Sequence, residues 1–324
     1  MRRGIPFQII GKPMHASVNQ SLRMPWFAKG TVGALLLIVT WIACASERSF
    51  QKSSEDVRYR APRAAAPDVT DSDSAIGFTD DSATAPTLED LIAEAEEILE
   101  SMRRELRDYR GTLLRRERIA GVLGEEVRMK FKIRNAYQRD DGTRVPFSVY
   151  LLFEAPPSVA GREVIWVDGA NDGKLIAHEG GLKRYLGRME LDPNGPVAMF
   201  GNKYPITEIG LVRMVETLLQ RARELPYLQR AQIRQLDNVP VGDRPCRLYE
   251  IKIAQKAPDR LFHLAQIYID TQRRIPLKYA AYGWPDNPGD APPLDEAYTY
   301  LDVETNVGLS DADFDPDNPE YNFP

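Results

Sequence analysis

Two stretches of the chain place apolar residues at steps of three and four, the spacing that gathers them on one face of a helix. The first begins at Thr87, where Thr87 and Asp90 resemble a capping box with Asp in place of Glu; its apolar residues are Leu88, Leu91, Ile92, Ala95, Ile98, Leu99, Met102 and Leu106. The second runs from about Thr207 to Arg223, and its apolar residues are Leu211, Val212, Val215, Leu218, Leu219 and Ala222. The sequence therefore predicts two amphipathic helices.

After Tyr109 the pattern becomes alternating, which is the period of a strand with two different faces. It is clearest in residues 127–134, where an apolar set alternates with a basic set: Val127, Met129, Phe131 and Ile133 against Arg128, Lys130, Lys132 and Arg134. Turn-forming residues separate further predicted strands at 145–153, 163–167, 174–178, 246–253, 262–269, 275–282 and 297–303. Many antiparallel strands and two helices predict an α+β domain whose helices cover one sheet face.

The N-terminal 45 residues have the pattern of an export signal. Five basic residues and no acidic residue precede or flank an apolar run from Thr31, which ends in Ala43-Cys44-Ala45. Three outcomes stay open: cleavage after Ala45, lipid attachment to Cys44, or retention as a membrane anchor. Residues 46–86, rich in Ser, Asp, Ala and Pro, predict a disordered tether, and residues 87–324 predict one large domain. We therefore expect an exported protein of the periplasm or cell envelope.

Charge and cysteine content narrow the classes of partner. Without the five basic residues of the signal, 37 Lys and Arg remain against 47 Asp and Glu, so the mature chain is acidic. An acidic chain is not expected to bind nucleic acid, which calls for a basic surface. Only Cys246 remains beyond the signal, so no disulfide framework is expected.

The residues that most often carry chemistry are scarce in the predicted domain. His178, His263 and Cys246 have no recognisable catalytic partners in the sequence, and we interpret all three as structural. The acidic residues 311–320 suit calcium in type, but they depart from the EF-hand pattern and are interpreted as a solvated turn. The sequence predicts no catalytic site, no metal site and no cofactor, and hence a protein that is not an enzyme.

The later strands carry a family resemblance. The chain resembles the outer-membrane lipoprotein carrier (Lol-type) superfamily at residues 265–270, 274–279 and 300–314. It is also similar to the early strand pair of that superfamily, at residues 146–151 and 161–166. From about residue 88 to 324, including the ending 313–323, the chain more closely resembles an uncharacterised secreted bacterial domain-of-unknown-function family within it. The resemblance implies a strongly curved antiparallel sheet, a half barrel, whose concave apolar face is covered by helices and accepts lipid chains. The insert 180–204 departs from that plan.

Two functions are consistent with this pattern. In the first, an acyl chain, a lipid or a lipid-modified protein occupies an apolar cavity of the half barrel, which implies at least transient membrane association; the expected lining residues are Met129, Phe131, Phe147, Val149, Trp166, Ile267 and Tyr279. In the second, the core is filled by the protein itself and the outer surface binds another envelope component. The basic patch Arg128, Lys130, Lys132 and Arg134 is then the expected contact.

Overall fold

The computed structural model describes residues 85–324, so the predictions for the signal segment and for nearly all of the tether lie outside the described residues. The described chain forms two α-helices, α1 (Leu88–Glu105) and α2 (Leu211–Glu224). Its strands are β1 (Asp108–Ile119), β2 (Val122–Leu123), β3 (Val127–Arg134), β4 (Tyr137–Gln138), β5 (Arg144–Val145), β6 (Ser148–Ala155), β7 (Glu163–Val167), β8 (Leu175–His178), β9 (Met189–Leu191), β10 (Gln232–Val241), β11 (Arg244–Lys252), β12 (Leu264–Asp270), β13 (Pro276–Tyr282) and β14 (Leu294–Thr305).

One antiparallel sheet contains all of these strands except β4 and β5, which pair with each other. Its order is β10-β11-β12-β13-β14-β1-β3-β6-β7-β8-β9, and β2 pairs with the end of β1. The sheet is curved, and its two outermost strands, β9 and β10, do not pair, so it is open. The α+β prediction, a curved antiparallel sheet with two helices on its concave face, is confirmed.

Helix α1 begins where the sequence predicts. The Thr87 hydroxyl accepts a hydrogen bond from the Asp90 backbone N–H, and the Asp90 carboxylate accepts one from the Thr87 N–H. Asp therefore replaces Glu in a complete capping box, which satisfies two of the free N–H groups at a helix start. Helix α2 begins four residues later than predicted, because residues 206–208 form a 3-10 turn and Gly210 adopts a φ of 114°.

The strand predictions succeed where alternation is regular and fail in two kinds of place. The alternating pattern does not predict β1 and β10 as separate elements, since charged and polar residues interrupt their apolar positions. The predicted strand 145–153 is broken at Pro146, which has no backbone N–H to contribute to a ladder. The pieces are Arg144–Val145 and Ser148–Ala155, and only the second joins the main sheet.

The face of the sheet that α1 and α2 cover, here called the inner face, carries the main core. Ile98 and Met102 of α1 and Leu211 and Val215 of α2 pack in one cluster with apolar residues of the central strands. A second cluster joins the start of α1 to the 226–230 turn and to strands β11, β12 and β13. Each helix therefore buries its apolar stripe against the sheet, as its spacing predicts.

The opposite face, here called the outer face, is covered in part by residues 306–324, the C-terminal segment. Phe314 packs with Tyr150 of β6 and Ile165 of β7, and Tyr321 and Phe323 pack against the same cluster. The Tyr150 and Tyr321 rings stack with centroids 4.1 Å apart. Strands β6 and β7 are therefore covered on both faces.

Candidate functional site

The seven predicted lining residues all lie on or beside the inner face. Five belong to the main core cluster, and each is at most 9% exposed: Met129, Phe131, Phe147, Val149 and Trp166. Tyr279 is buried in the second cluster, and Ile267 is packed at its margin. The structure thus gathers five of the residues and places two in the adjoining cluster, which also contains Phe262 and Tyr227.

Side chains of the two helices occupy the space above these residues. Two cavities within residues 85–324 are open to solvent and lie away from these residues. One, of about 470 Å³, is lined by Arg107 and the β4–β5 hairpin. The other, of about 340 Å³, lies on the outer face between Ile165 and Phe314. The expected site is therefore an apolar surface that α1 and α2 cover.

The start of α2 is attached to the sheet by a buried hydrogen bond. The Leu211 N–H donates to the Tyr109 hydroxyl at 2.8 Å, and both residues are inaccessible to solvent. A Cβ on the preceding Gly210 would lie 2.7 Å from that hydroxyl oxygen, and its φ of 114° is one that other residues rarely adopt. Burial, and the neighbouring Tyr300 hydroxyl, raise the pKa of Tyr109 well above its usual value, so the group stays neutral.

The other end of α2 reaches a polar group that we call the closing cluster. It consists of Arg115 and Glu117 on β1, Glu296 and Tyr298 on β14, Lys203 and Tyr204 in the insert, and Arg221 on α2. Tyr298 donates to Glu117 at 2.5 Å, and Lys203 lies 3.1 Å from Glu296. Arg221 donates to the Tyr204 hydroxyl at 3.0 Å, and Tyr204 donates to Glu296 at 3.3 Å.

Glu117 and Glu296 are only 6% and 3% exposed, so the surrounding donors stabilise two buried carboxylates. Burial and the nearby charges of Glu296 and Glu117 raise the pKa of Tyr298 far above its usual range. Burial opposes the charge on Lys203, but Asp295 and Glu296 still raise its pKa. The closing cluster thus ties the insert and α2 to β1 and β14 through contacts between opposite charges.

Sequence reasoning missed the closing cluster, although it included Tyr279 nearby. Four of the seven members lie on strands β1 and β14, where charged and polar residues interrupt the apolar alternation. Two more lie in the insert, which has no regular pattern. A usable signal was available: Glu117, Glu296 and Tyr298 occupy the inward parity of β1 and β14, whose registers pair Glu117 with Glu296. A polar residue at a position that should face the core indicates a buried polar contact.

The predicted basic patch is divided between exposed and covered residues. Lys132 lies 2.8 Å from Asp313, and Arg134, itself 2% exposed, lies 2.7 Å from Asp311. Both partners belong to the acidic C-terminal segment, so the predicted solvated acidic turn and half of the predicted basic face neutralise each other. Arg128 pairs with Glu154 at 3.1 Å, and Lys130 donates to Thr112.

A second buried polar group lies beneath the end of the C-terminal segment. The Glu163 carboxylate accepts hydrogen bonds from the Tyr150 hydroxyl and from the backbone and side-chain N–H groups of Asn322. The Nε2 atom of His178 lies 3.3 Å from the same carboxylate, without hydrogen-bond geometry. Phe323 packs edge-on against the His178 ring. This arrangement attaches the last residues of the chain to the sheet.

The remaining residues whose types often have catalytic roles, His263 and Cys246, make structural contacts. His263 bonds through Nδ1 to the Ile253 carbonyl, and Cys246 is fully buried. Burial, and the nearby Asp270 charge, raise the pKa of Cys246 to about 11. Among residues 85–324, no three His, Cys, Asp or Glu side chains are arranged to hold a metal ion. In the same part of the chain, neither helix combines the length and the apolar character of a membrane span.

Several solved structures are similar to this chain at low sequence identity. They include the MucA/MucB complex of Pseudomonas aeruginosa (13% identity, TM-score 0.39, covering 69% of this chain and 60% of that chain). An outer membrane lipoprotein-sorting protein domain of Vibrio parahaemolyticus matches at 13% identity and TM-score 0.33 (71% and 97% coverage). A LolA superfamily protein of Nitrosomonas europaea matches at 11% identity and TM-score 0.28 (71% and 98%). This chain spans about three-fifths of the MucB chains.

Comparison with curated proteins finds no match. A family model described as a protein of unknown function, DUF1571, matches residues 106–323. The match covers the whole sheet and α2, which is more than half of the chain. The chain therefore belongs to the DUF1571 family.

Proposed function

We propose that this protein is a non-catalytic binding protein of the cell envelope, and that an acyl chain of a lipid or of a lipid-modified protein binds its inner face. The observation that supports the proposal is the composition of that face. Met129, Phe131, Phe147, Val149 and Trp166 form a continuous apolar surface covered by two helices. Each methylene buried there contributes about 0.8 kcal/mol, so a long chain needs no polar contact to bind.

An acyl chain reaches the inner face only if a helix moves, because α1 and α2 fill the space. Helix α2 is the element expected to move. Only Leu211, Val215 and Leu219 of its residues are buried, and polar contacts hold both of its ends. Opening at the closing cluster also exposes Tyr279 and Ile267, so the full set of seven predicted lining residues belongs to the proposed site.

Two arginines on α2 provide a matched test of this movement. Arg221 joins α2 to Tyr204 and Glu296, whereas Arg223, two residues away, forms an ion pair with Glu96 of α1. We expect Arg221→Met to increase the rate of uptake of a fluorescent fatty acid by several-fold, because it removes a contact present only in the closed form. Arg223→Met should leave the rate unchanged if the closing cluster controls entry.

Native mass spectrometry of the gently purified protein provides the direct readout. The proposal predicts an added mass equal to one acyl-containing ligand, which a competing fatty acid displaces. A ligand-free spectrum, together with no uptake by either arginine variant, would contradict it. Equal acceleration in both variants would indicate loosening of the whole helical layer instead of opening at the closing cluster.

A second function is favoured by the filled inner face itself. In this alternative the protein is an envelope interaction or sensor module, and its outer surface binds another protein. Since Lys132 and Arg134 pair with the C-terminal segment, the cations left on that strand are the half-buried Arg128, which pairs with Glu154, and the exposed Lys130. Reversal of those two charges should abolish capture of a partner while fatty-acid uptake, if present, is unchanged.

The proposed location follows from the N-terminal pattern. Three forms of the exported chain are expected: cleaved after Ala45, lipidated at Cys44, or retained as an anchor. Each form has a different mass. The intact mass of the protein from cells distinguishes the three forms. A full-length mass in the soluble fraction of lysed cells would contradict the proposed export.

A further inference from the structure

The connection between β8 and β9 carries a cluster of exposed apolar side chains at the edge of the sheet. Residues 181–187, here called the finger, contain the 3-10 helix Gly181–Leu186. Leu182 is 95% exposed and Tyr185 is 78% exposed, and Leu186 is also exposed. Residues three apart in a 3-10 helix lie on one side, so Leu182 and Tyr185 point the same way. Single exposed apolar residues are ordinary, but three in five residues are not.

The base of the finger is fixed to the domain at both ends. Gly180 lies so close to the β6–β7 turn that a Cβ would overlap the Ala160 carbonyl and the Gly161 backbone. At the other end, Arg188 lies 2.6 Å from Asp317 of the C-terminal segment. Met189 then enters β9 opposite Ala177 of β8. The finger therefore extends from an anchored base.

The charge of the finger is positive although the chain as a whole is acidic. Residues 180–188 contain Lys183, Arg184 and Arg188 and no acidic residue. Within the described chain neither Lys183 nor Arg184 forms an ion pair, and both are exposed. The cations match a surface with negative charge, and the exposed leucine and tyrosine side chains match an apolar layer directly beneath that charge.

We propose that the finger is a docking site for the surface of an anionic lipid bilayer. Leu182, Tyr185 and Leu186 enter the boundary between head groups and acyl chains, and Lys183 and Arg184 contact the lipid phosphates. Tyrosine favours this boundary because its ring is apolar and its hydroxyl is hydrated. The proposal concerns the surface of the domain and does not depend on acyl-chain binding at the inner face.

An environment-sensitive fluorophore tests the proposal in the full chain. The fluorophore is placed on a cysteine that replaces Leu182. The signal of the parent protein treated in the same way is subtracted; it reports Cys44 where that residue is retained, since Cys246 is fully buried. The matched control is Val122→Cys, since Val122 is an apolar residue 72% exposed in a different hairpin. Vesicles of phosphatidylcholine alone are compared with vesicles containing phosphatidylglycerol.

The proposal predicts a blue shift at position 182 with anionic vesicles, a much weaker shift with phosphatidylcholine and none at position 122. Lys183→Gln with Arg184→Gln should weaken binding by roughly tenfold or more, and added salt should do the same. No shift at position 182 with either vesicle would overturn the proposal and leave the finger to a protein partner. Equal shifts at positions 182 and 122, or with both lipids, would also overturn it.

Discussion

The ammonium group of Lys132 lies 2.8 Å from the carboxylate of Asp313, 181 residues later in the chain. The same ammonium group lies 3.0 Å from the Tyr321 hydroxyl, and Tyr321 stacks on Tyr150. One side chain from the basic face of β3 thus attaches the C-terminal segment to the outer face of the sheet. A cation that the alternating pattern places toward solvent is in fact an internal contact.

This pair predicts that acid weakens the attachment of the C-terminal segment. Burial opposes ionisation of Asp313, but the hydrogen bonds from Lys132 and Ser310 still lower its pKa below the ordinary 3.8. A lowered folded-state pKa contributes stability that is present above the unfolded-state value and is lost as the pH falls through the folded-state value. We expect Asp313→Asn to lower the free energy of unfolding by about 1–2 kcal/mol at pH 7 and by less near pH 3.

Urea unfolding measured at several pH values checks this expectation. Asp243→Asn is a suitable control, because Asp243 is exposed in the turn before β11. If the stability of Asp313→Asn and of the parent protein fell in parallel between pH 5 and pH 3, the role assigned to the Lys132–Asp313 pair would be wrong.

We expect a single methyl group added at Gly210 to lower the stability of the folded protein strongly. Gly210→Ala places a Cβ 2.7 Å from the Tyr109 hydroxyl, at a backbone φ of 114°. Gly289→Ala is the matched control, since Gly289 has a φ of 97° but open space around it. We expect the control to lose about 1–2 kcal/mol from backbone strain alone and Gly210→Ala to lose about 2 kcal/mol more from the contact. Thermal unfolding distinguishes them, and equal losses would contradict the close packing of α2 on Tyr109.

In the closing cluster, we expect a buried tyrosine hydroxyl to contribute more to the free energy of unfolding than an exposed one does. Tyr298→Phe removes the donor that lies 2.5 Å from Glu117 and leaves a buried carboxylate less satisfied. We expect a loss of about 1–3 kcal/mol, compared with almost none for Tyr185→Phe, whose ring is exposed. Denaturant titration is the measurement. A loss shared equally by both variants would show that Glu117 does not depend on Tyr298.

Cys246 predicts a thiol that is protected in the folded protein. It is fully buried, and burial raises its pKa to about 11, so little reactive thiolate is present at pH 8. Alkylation followed by peptide mass analysis should label Cys246 only after denaturant is added. Rapid labelling of that peptide in the native protein would contradict its place in the core.

The alternating and helical patterns were enough to predict both helices, the α+β class and the burial of Met129, Phe131 and Val149. Strand β1 was harder to predict, because its inward positions include Gly111, Arg115 and Glu117 along with Tyr109 and Leu113. Its inward glycine is required: a Cβ at Gly111 would lie 2.7 Å from the Leu301 carbonyl. Polar and glycine residues on an inward face have no regular pattern, so alternation alone does not identify β1. The inward polar residues indicate a buried polar contact, but the fold decides which partners they meet.

The pairing of charges far apart in the chain cannot be predicted from the hydrophobic pattern either. The sequence predicts that the basic residues of 128–134 form an outer contact surface and that residues 311–320 form a solvated turn. Their pairing depends on the chain turning back over the outer face after β14, and local sequence does not report that path. The insert 180–204 was recognised as irregular, but the exposure of Leu182 and Tyr185 is a property of the folded chain.

The most direct test of acyl-chain binding at the inner face is photo-crosslinking. The protein is incubated with a fatty acid that carries a photoreactive group along its chain, irradiated and mapped by peptide mass spectrometry. We predict crosslinks in the peptides that contain Met129, Phe131, Phe147, Val149 and Trp166, and faster labelling in Arg221→Met than in Arg223→Met. Crosslinks confined to the outer face or the finger, or none at all, would contradict binding beneath α2.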